Sequence, residues 1–162
     1  MRGLTSQLRQ LLFLIDSAYD HGSWHGPNLR GSIRGVRLEE AVWRPGPSRH
    51  NIWELVVHAA YWKYRVVRRL TGAPRGSFAL VGSNWFRRPQ EGTTRAWRSD
   101  VALLDRTHRE LRDGVEALSA RDLERAHGKV TNLALVTGIA GHDVYHAGQI
   151  QLLKRLRRDT RA

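Results

Sequence analysis

The sequence predicts an all-α protein built as a four-helix bundle. Four segments each repeat apolar residues at steps of three and four, which is the pattern of a helix with one buried face. No segment alternates apolar and polar residues over several positions, so strands are not expected. The length of 162 residues suits one domain, and the absence of cysteine excludes disulfides and thiolate ligands. We therefore expect a single domain over residues 1–162.

The first helix is predicted close to the N-terminus and should end around residues 20–22. Polar residues interrupt it too often for a signal peptide or a membrane span, and we expect a cytoplasmic protein. Residues 22–35 contain several glycines and a proline, which indicates a connection, and a short helical piece is expected at 36–41. The apolar stripe of this first helix consists of Leu4, Leu8, Leu11, Ile15 and Ala18.

The second helix is predicted to begin at Asn51. The Asn51 side chain can cap the helix and Glu54 can reach back to it, which is the pattern of a capping box. Gly72 and Pro74 predict its end. Its buried stripe is formed by Leu55, Ala59, Trp62, Val66 and Leu70.

A long connection separates the second helix from the third. Residues 71–94 are rich in Gly, Pro and Ser, and the stretch is much longer than the about two to eight residues that usually join antiparallel neighbours, so it permits a crossover. The fourth helix is expected from about residue 132 to 157. The third helix has the most regular seam, which consists of Val101, Leu104, His108, Leu111, Val115 and Leu118.

Two histidines on the fourth helix carry the strongest functional signal. His142 and His146 are four residues apart, so a helix places both imidazoles on one face, where they can bind a single metal ion. Both continue an apolar seam, and a buried polar ring needs either a hydrogen bond or a metal. The apolar members of that seam are Leu135, Ile139, Ile150 and Leu153.

A third ligand should come from a facing helix, and His58 on the second helix is the best candidate. A single core histidine more often donates to a backbone carbonyl, but three on two inward faces favour a metal site. Three neutral imidazoles would leave an open coordination position, which is typical of catalytic sites. The ligand set favours zinc or nickel over iron or manganese.

Other polar residues are assigned by their position relative to this site. Gln149 should face inward and contact a ligand histidine or a cofactor, whereas Asp143 should point outward. His25 lies in the connection after the first helix and could line an entrance for a cofactor. His108 is either a core histidine or a pocket residue. The remaining histidines are expected at caps or in loops: His21, His50 and His127.

The formal net charge of +12 raises the question of a nucleic-acid or other polyanionic partner. Basic residues are scattered along the chain, and the only dense run covers 154–158 at the end of the last helix. Cations are also favoured there by the helix dipole. We therefore favour a solvated helix end over a nucleic-acid surface.

Three segments together resemble the DinB-like (DinB/YfiT-like) superfamily of metal-dependent enzymes: Trp24-His25-Gly26-Pro27, residues 49–62 and residues 142–150. The resemblance covers nearly the whole chain. It implies a bundle with up-down-down-up topology and a divalent metal bound by His58, His142 and His146. Characterised members include transferases and isomerases that use low-molecular-weight thiols. Despite its name, the family does not imply a DNA polymerase.

The leading hypothesis is a metal-dependent transferase in which zinc or nickel stabilises a thiolate for attack on an electrophilic substrate. A hydrolase that activates water is the first alternative. A basic module that binds nucleic acid is the second, and a bundle whose site has only a structural or ligand-storage role is the third. A homodimer is also a hypothesis, because leftover apolar helix faces would suit one.

Overall fold

The structure is a computed structural model that describes residues 5–76, 78–89 and 91–160. In chain order, its helices and strands are α1 (Ser6–Tyr19), α2 (Leu29–Ile33), α3 (Leu38–Ala41), α4 (Ile52–Thr71), α5 (Thr94–Glu116), α6 (Ala120–Leu123), β1 (Ala126–His127), β2 (Val130–Thr131) and α7 (Asn132–Asp159). Of the residues predicted for the first stripe, Leu4 lies outside the described part of the chain.

The four long helices pack as a closed ring. Helix α4 packs against α5 and α7, and α1 packs against the same two helices on the other side. This arrangement confirms the predicted all-α bundle. The first halves of α4 and α5 contribute to one apolar cluster and their second halves to another, as expected if these two helices run parallel. The complete up-down-down-up order stays a prediction.

The core consists of two apolar clusters with polar side chains between them. One cluster surrounds Trp53 and Leu104, and the other surrounds Leu111 and Val136. Between these clusters, the long helices place buried polar side chains where a continuous apolar core would be the default. Buried polar side chains on α4, α5 and α7 include His58, Lys63, His108, Asp143 and His146.

The predicted ends of α4 are confirmed, but its capping box is wrong. The Asn51 side-chain oxygen accepts a hydrogen bond of 2.8 Å from the Glu54 backbone N–H, and Gly72 follows the helix in the left-handed conformation at φ 72°. The Glu54 carboxylate does not return to Asn51. It forms an ion pair with Arg44, because a buried carboxylate is stable only when a cation compensates its charge.

Three short elements were not predicted from the sequence, namely α2, α6 and the β1–β2 hairpin. Helix α2 forms within the expected connection because the Asn28 side chain accepts a 2.7 Å hydrogen bond from the Gly31 N–H and caps it. A hairpin pairs Ala126 with Thr131 and His127 with Val130, contrary to the expectation of no strands. Strands of two residues are too short to show alternation, so periodicity gave no signal for them.

In the part of the chain that the structure describes, every helix is either too short or too polar to cross a membrane.

Candidate metal centre

His58 lies in the most deeply buried part of the molecule. Residues 51–60, which include the first turns of α4, are all buried, so this part of the helix has no exposed side. A helix that is buried on every side must be covered by more than its bundle neighbours. Here the connections on both sides of α4 contribute to the cover, through Arg44 from the first and Trp85 from the second. His58 is thereby only 5 % exposed.

The structure brings together the three histidines that the sequence singled out. The Nε2 atom of His142 lies 3.1 Å from that of His58 and 3.0 Å from that of His146. All three potential ligand atoms lie within 4.8 Å of one another. For comparison, two zinc–nitrogen bonds of about 2.1 Å at a tetrahedral angle separate their nitrogens by roughly 3.4 Å. The spacing therefore suits one small cation.

The opposite ring nitrogens determine which tautomers are present. His58 Nδ1 lies 2.8 Å from the Asn84 carbonyl oxygen, and His146 Nδ1 lies 2.6 Å from the Gln149 Oε1 atom. A carbonyl oxygen only accepts, so each Nδ1 carries a hydrogen, and the Nε2 atoms of these neutral rings present lone pairs. The buried Nδ1 atom of His142 has no hydrogen-bond partner among the described residues.

The three rings are held in their neutral form. Burial is the largest cause of a lowered pKa in each, and it brings the pKa of His142 to about 3 and that of His146 to about 4. The pKa of His58 is lowered in the same direction for the same reason. At neutral pH the rings therefore carry no positive charge, and the Nε2 lone pairs of His58 and His146 are available to a cation. A divalent cation fits this set of donors.

Asn84 and Trp85 cover the cluster. Asn84 has a φ of 60°, a left-handed conformation that is uncommon outside glycine, and its side-chain oxygen accepts a 3.0 Å hydrogen bond from the Trp62 indole N–H. Trp85 stacks on the His58 ring with a centroid distance of 3.8 Å. Its other face stacks on His50 at 3.6 Å. His50 lies in the loop before α4, as the sequence predicts, but its stacking on Trp85 was not predicted. A large aromatic residue within a Gly- and Ser-rich connection is the sequence feature that could have indicated the role of Trp85.

Glu54 supports the same end of the site. Its carboxylate accepts hydrogen bonds of 2.6 and 2.8 Å from Arg44, one of 3.0 Å from His50 and one of 3.3 Å from the Arg88 backbone N–H. Burial alone would raise the pKa of this carboxyl, but these donors outweigh it and lower the pKa to about 2. Glu54 is therefore a fixed anion that is saturated by its neighbours.

Asp143 does not point outward as the sequence predicted. It is 1 % exposed and forms an ion pair with Lys63, which is fully buried on α4. The error arose because the buried face of α7 is wider than the predicted seam. Ile139, His146, Ile150 and Leu153 are buried as predicted, and a neighbouring row is buried as well: Val136, Ala140, Asp143 and Ala147. Burial raises the pKa of Asp143 to about 6, against the opposing effect of Lys63. Lys63 was missed because an isolated lysine on a helix is usually exposed.

His108 is a core histidine in this structure. It stacks on Tyr19 at a centroid distance of 3.8 Å, and its Nδ1 atom accepts a 3.4 Å hydrogen bond from Lys63. Burial, followed by the charges of Lys63 and Arg112, lowers the pKa of His108 to about 2. The ring is therefore neutral and belongs to the polar residues between the two apolar clusters.

His25 and Gln149 take different positions. Gln149 contacts the ring of His146, as described above. His25 is exposed and lines a cavity of about 360 Å³ on another face of α7, together with Val144 and Leu152. No member of the three-histidine cluster lines that cavity. The two remaining histidines form local hydrogen bonds, His21 with Asp20 and His127 with Asn132.

The sequence profile of the DinB superfamily matches residues 23–150, which include all three clustered histidines. The chain belongs to the DinB superfamily. The matched region also contains Asn84, Trp85 and Gln149, so the whole cluster and its surroundings lie within the family domain. No curated protein and no solved structure matches this DinB-superfamily chain.

Proposed function

We propose that this DinB-superfamily protein is a metal-dependent enzyme in which His58, His142 and His146 hold zinc or nickel. The observation that carries the proposal is the convergence of three Nε2 atoms, with separations of 3.0 and 3.1 Å from His142 to its two partners. Family membership supports the same proposal. When bound, a divalent ion with an open position lowers the pKa of a thiol or a water molecule.

The residues around the cluster hold its rings in place. Asn84 and Gln149 accept the Nδ1 hydrogens of His58 and His146, which fixes both the tautomer and the ring orientation. Trp85 covers one face of His58 and limits the access of water. A cofactor-binding role for Gln149 is compatible with its contact to His146. The proposed entrance role of His25 is supported by its exposed position between α1 and α2, where it lines a cavity beside α7.

The reaction class that we favour is transfer to or from a low-molecular-weight thiol. In the forward direction the thiol would lose its proton to solvent, its sulfur would bond to an electrophilic carbon, and a leaving group would depart from that carbon with its electron pair. This choice rests on the family resemblance and on the donor set, because a zinc or nickel ion held by three nitrogens can take a soft sulfur atom as a further ligand. Hydrolysis is the alternative if the same position takes water. A panel of thiols and electrophiles, each assayed with and without the thiol, separates the two, because only hydrolysis proceeds without it.

Metal analysis of protein prepared without an affinity tag tests the site directly. We expect about one equivalent of divalent metal in the unaltered protein and a large loss in His142→Ala. The matched control is His21→Ala, which removes an exposed histidine outside the cluster. Equal and negligible metal in the unaltered protein and His142→Ala would end the proposal.

The nucleic-acid alternative receives little support from the basic run at residues 154–158. Lys154 donates a 3.1 Å hydrogen bond to the Ser32 carbonyl oxygen, and Arg157 is 6 % exposed and lies 3.8 Å from Glu40. Two of its four cations are therefore occupied by contacts within the protein. Retention of DNA or RNA at low salt, with a steep loss as salt rises, would revive this alternative. A homodimer and a cytoplasmic location stay predictions.

A further inference from the structure

A cavity lies on the outer side of the aromatic residues that cover the histidine cluster. It has a volume of about 250 Å³, and its walls include Arg49, His50, Trp85 and Arg87. A wider cavity of about 750 Å³ shares Arg44, Pro47 and Arg87 with it and continues outward. We call the smaller cavity the arginine cavity.

The charges around the arginine cavity do not balance. Arg44 is neutralised by Glu54, and Arg88, at the wider cavity, is neutralised by Asp100 at 2.6 Å. Arg49 and Arg87 have no ion-pair or hydrogen-bond partner for their guanidinium groups among the described residues. Glu54 offers them nothing more, since its oxygens already accept four hydrogen bonds. The other carboxylate nearby, Glu91, lines only the wider cavity.

The arginine cavity is joined to the histidine cluster by one aromatic ring. Trp85 lines the cavity, is 37 % exposed, and stacks on the metal-ligand candidate His58. The indole is itself fixed between two nearly parallel rings, at 5° to His50 and 9° to His58. Trp85 therefore lies between the ring of His58 and the cavity that Arg49 and Arg87 line.

We propose that the arginine cavity binds a carboxylate of the small molecule that acts at the histidine cluster, so that the ligand is an acidic compound and, for a transferase, an acidic thiol. This inference rests on the proposed function. Guanidinium groups bind carboxylates through two parallel hydrogen bonds, and the exposed indole offers an apolar wall for the carbon chain between the two ends. A neutral thiol would leave both arginines without a counter-charge.

Calorimetry on the zinc-loaded protein tests the proposal with matched thiols. We expect mercaptosuccinate, which carries two carboxylates, to bind at least about tenfold more tightly than 2-mercaptoethanol. In the double variant R49Q/R87Q the ratio of the two affinities should fall close to one. The control is Arg106→Gln, which removes an exposed arginine of α5 that lines neither cavity, and it should keep the full preference. Equal binding of the two thiols by the unaltered zinc-loaded protein would overturn the inference.

The metal-free protein provides an independent measurement. We expect succinate to bind it weakly and R49Q/R87Q to lose that binding about tenfold or more. Inorganic phosphate is titrated in parallel, and a clear preference for phosphate over succinate would overturn the carboxylate assignment. If the protein holds no metal, the proposed function fails, yet the succinate titration still decides whether the arginine cavity binds carboxylates. Since both arginines are exposed, an unchanged melting temperature should show that the double variant folds.

Discussion

The Nε2 atom of His58 on α4 lies 3.1 Å from the Nε2 atom of His142 on α7, although 84 positions separate the two residues in the chain. His58 presents a lone pair here, because its Nδ1 atom carries the ring hydrogen. In the metal-free protein His142 can donate a hydrogen to this lone pair, whereas the proposed metal ion would accept lone pairs from both rings, so the residues that orient the rings become open to test.

Replacing Gln149 by alanine should weaken metal binding by about 10- to 100-fold, because His146 loses the oxygen that holds its Nδ1 hydrogen. Competition with a chelating dye measures the change. Gln151→Ala is the matched control, since Gln151 lies two positions away and lines the cavity of His25. If the two variants bind metal equally well, Gln149 does not orient the ligand.

Asn84 should tolerate glycine better than valine. Glycine adopts the φ of 60° without strain and keeps the backbone carbonyl that faces His58, whereas a β-branched side chain disfavours this conformation by about 1–3 kcal/mol. We expect Asn84→Gly to retain metal affinity within a few-fold and Asn84→Val to lose both stability and affinity. Urea unfolding and the same dye competition measure the two effects. Similar losses in both variants would mean that the side-chain bond to Trp62 matters more than the backbone.

Replacing Lys63 by methionine should destabilise the protein by about 3–5 kcal/mol, because the buried Asp143 carboxylate would lose its cation. Adding Asp143→Leu should recover much of that loss, since the pair would then be apolar on both sides. Urea unfolding of the single and double variants gives the free energies of unfolding. A double variant as unstable as Lys63→Met alone would contradict this view of the pair.

His108 should make the stability of the metal-free protein fall with acid. Its pKa is lowered to about 2 in the folded protein, against an ordinary value of about 6.5 in the unfolded chain. Below pH 6.5 His108 therefore binds a proton in the unfolded state but not in the folded state. The free energy of unfolding decreases by up to about 1.4 kcal/mol per pH unit as the pH falls. Above pH 6.5 this contribution is constant.

The variant His108→Gln should make the profile less steep between pH 6.5 and 4, by up to about 1.4 kcal/mol per pH unit, as measured by urea unfolding at several pH values. The slope that remains comes from other groups with a lowered pKa, His142 and His146 among them. The exposed His21 provides the control variant His21→Gln, which should leave the profile as it is. An unchanged slope in His108→Gln would show that other groups dominate the acid response.

The sequence predicted the four long helices and the convergence of the three histidines because both depend on local periodicity, which is visible in a single helix. It misplaced Asp143 because the buried face of α7 is wider than one seam, and the ion pair with Lys63 on α4 is not visible in the sequence of α7 alone. Asn84 and Trp85 escaped prediction because a connection has no period. The conformation of this connection depends on its contacts with α4, such as those of Asn84 and Trp85 with His58, and these contacts cannot be read from the sequence.

The unbroken burial of residues 51–60 has a consequence for how this protein can diverge. An ordinary amphipathic helix has an outer face where mutations accumulate at little cost, but this stretch of α4 has no such face. Drift should therefore be concentrated elsewhere, on the exposed sides of α5 and α7, while the ten residues around His58 change only when their neighbours change with them. A change in what the histidine cluster binds would have to proceed through the connection that carries Trp85 rather than through the helix beneath it.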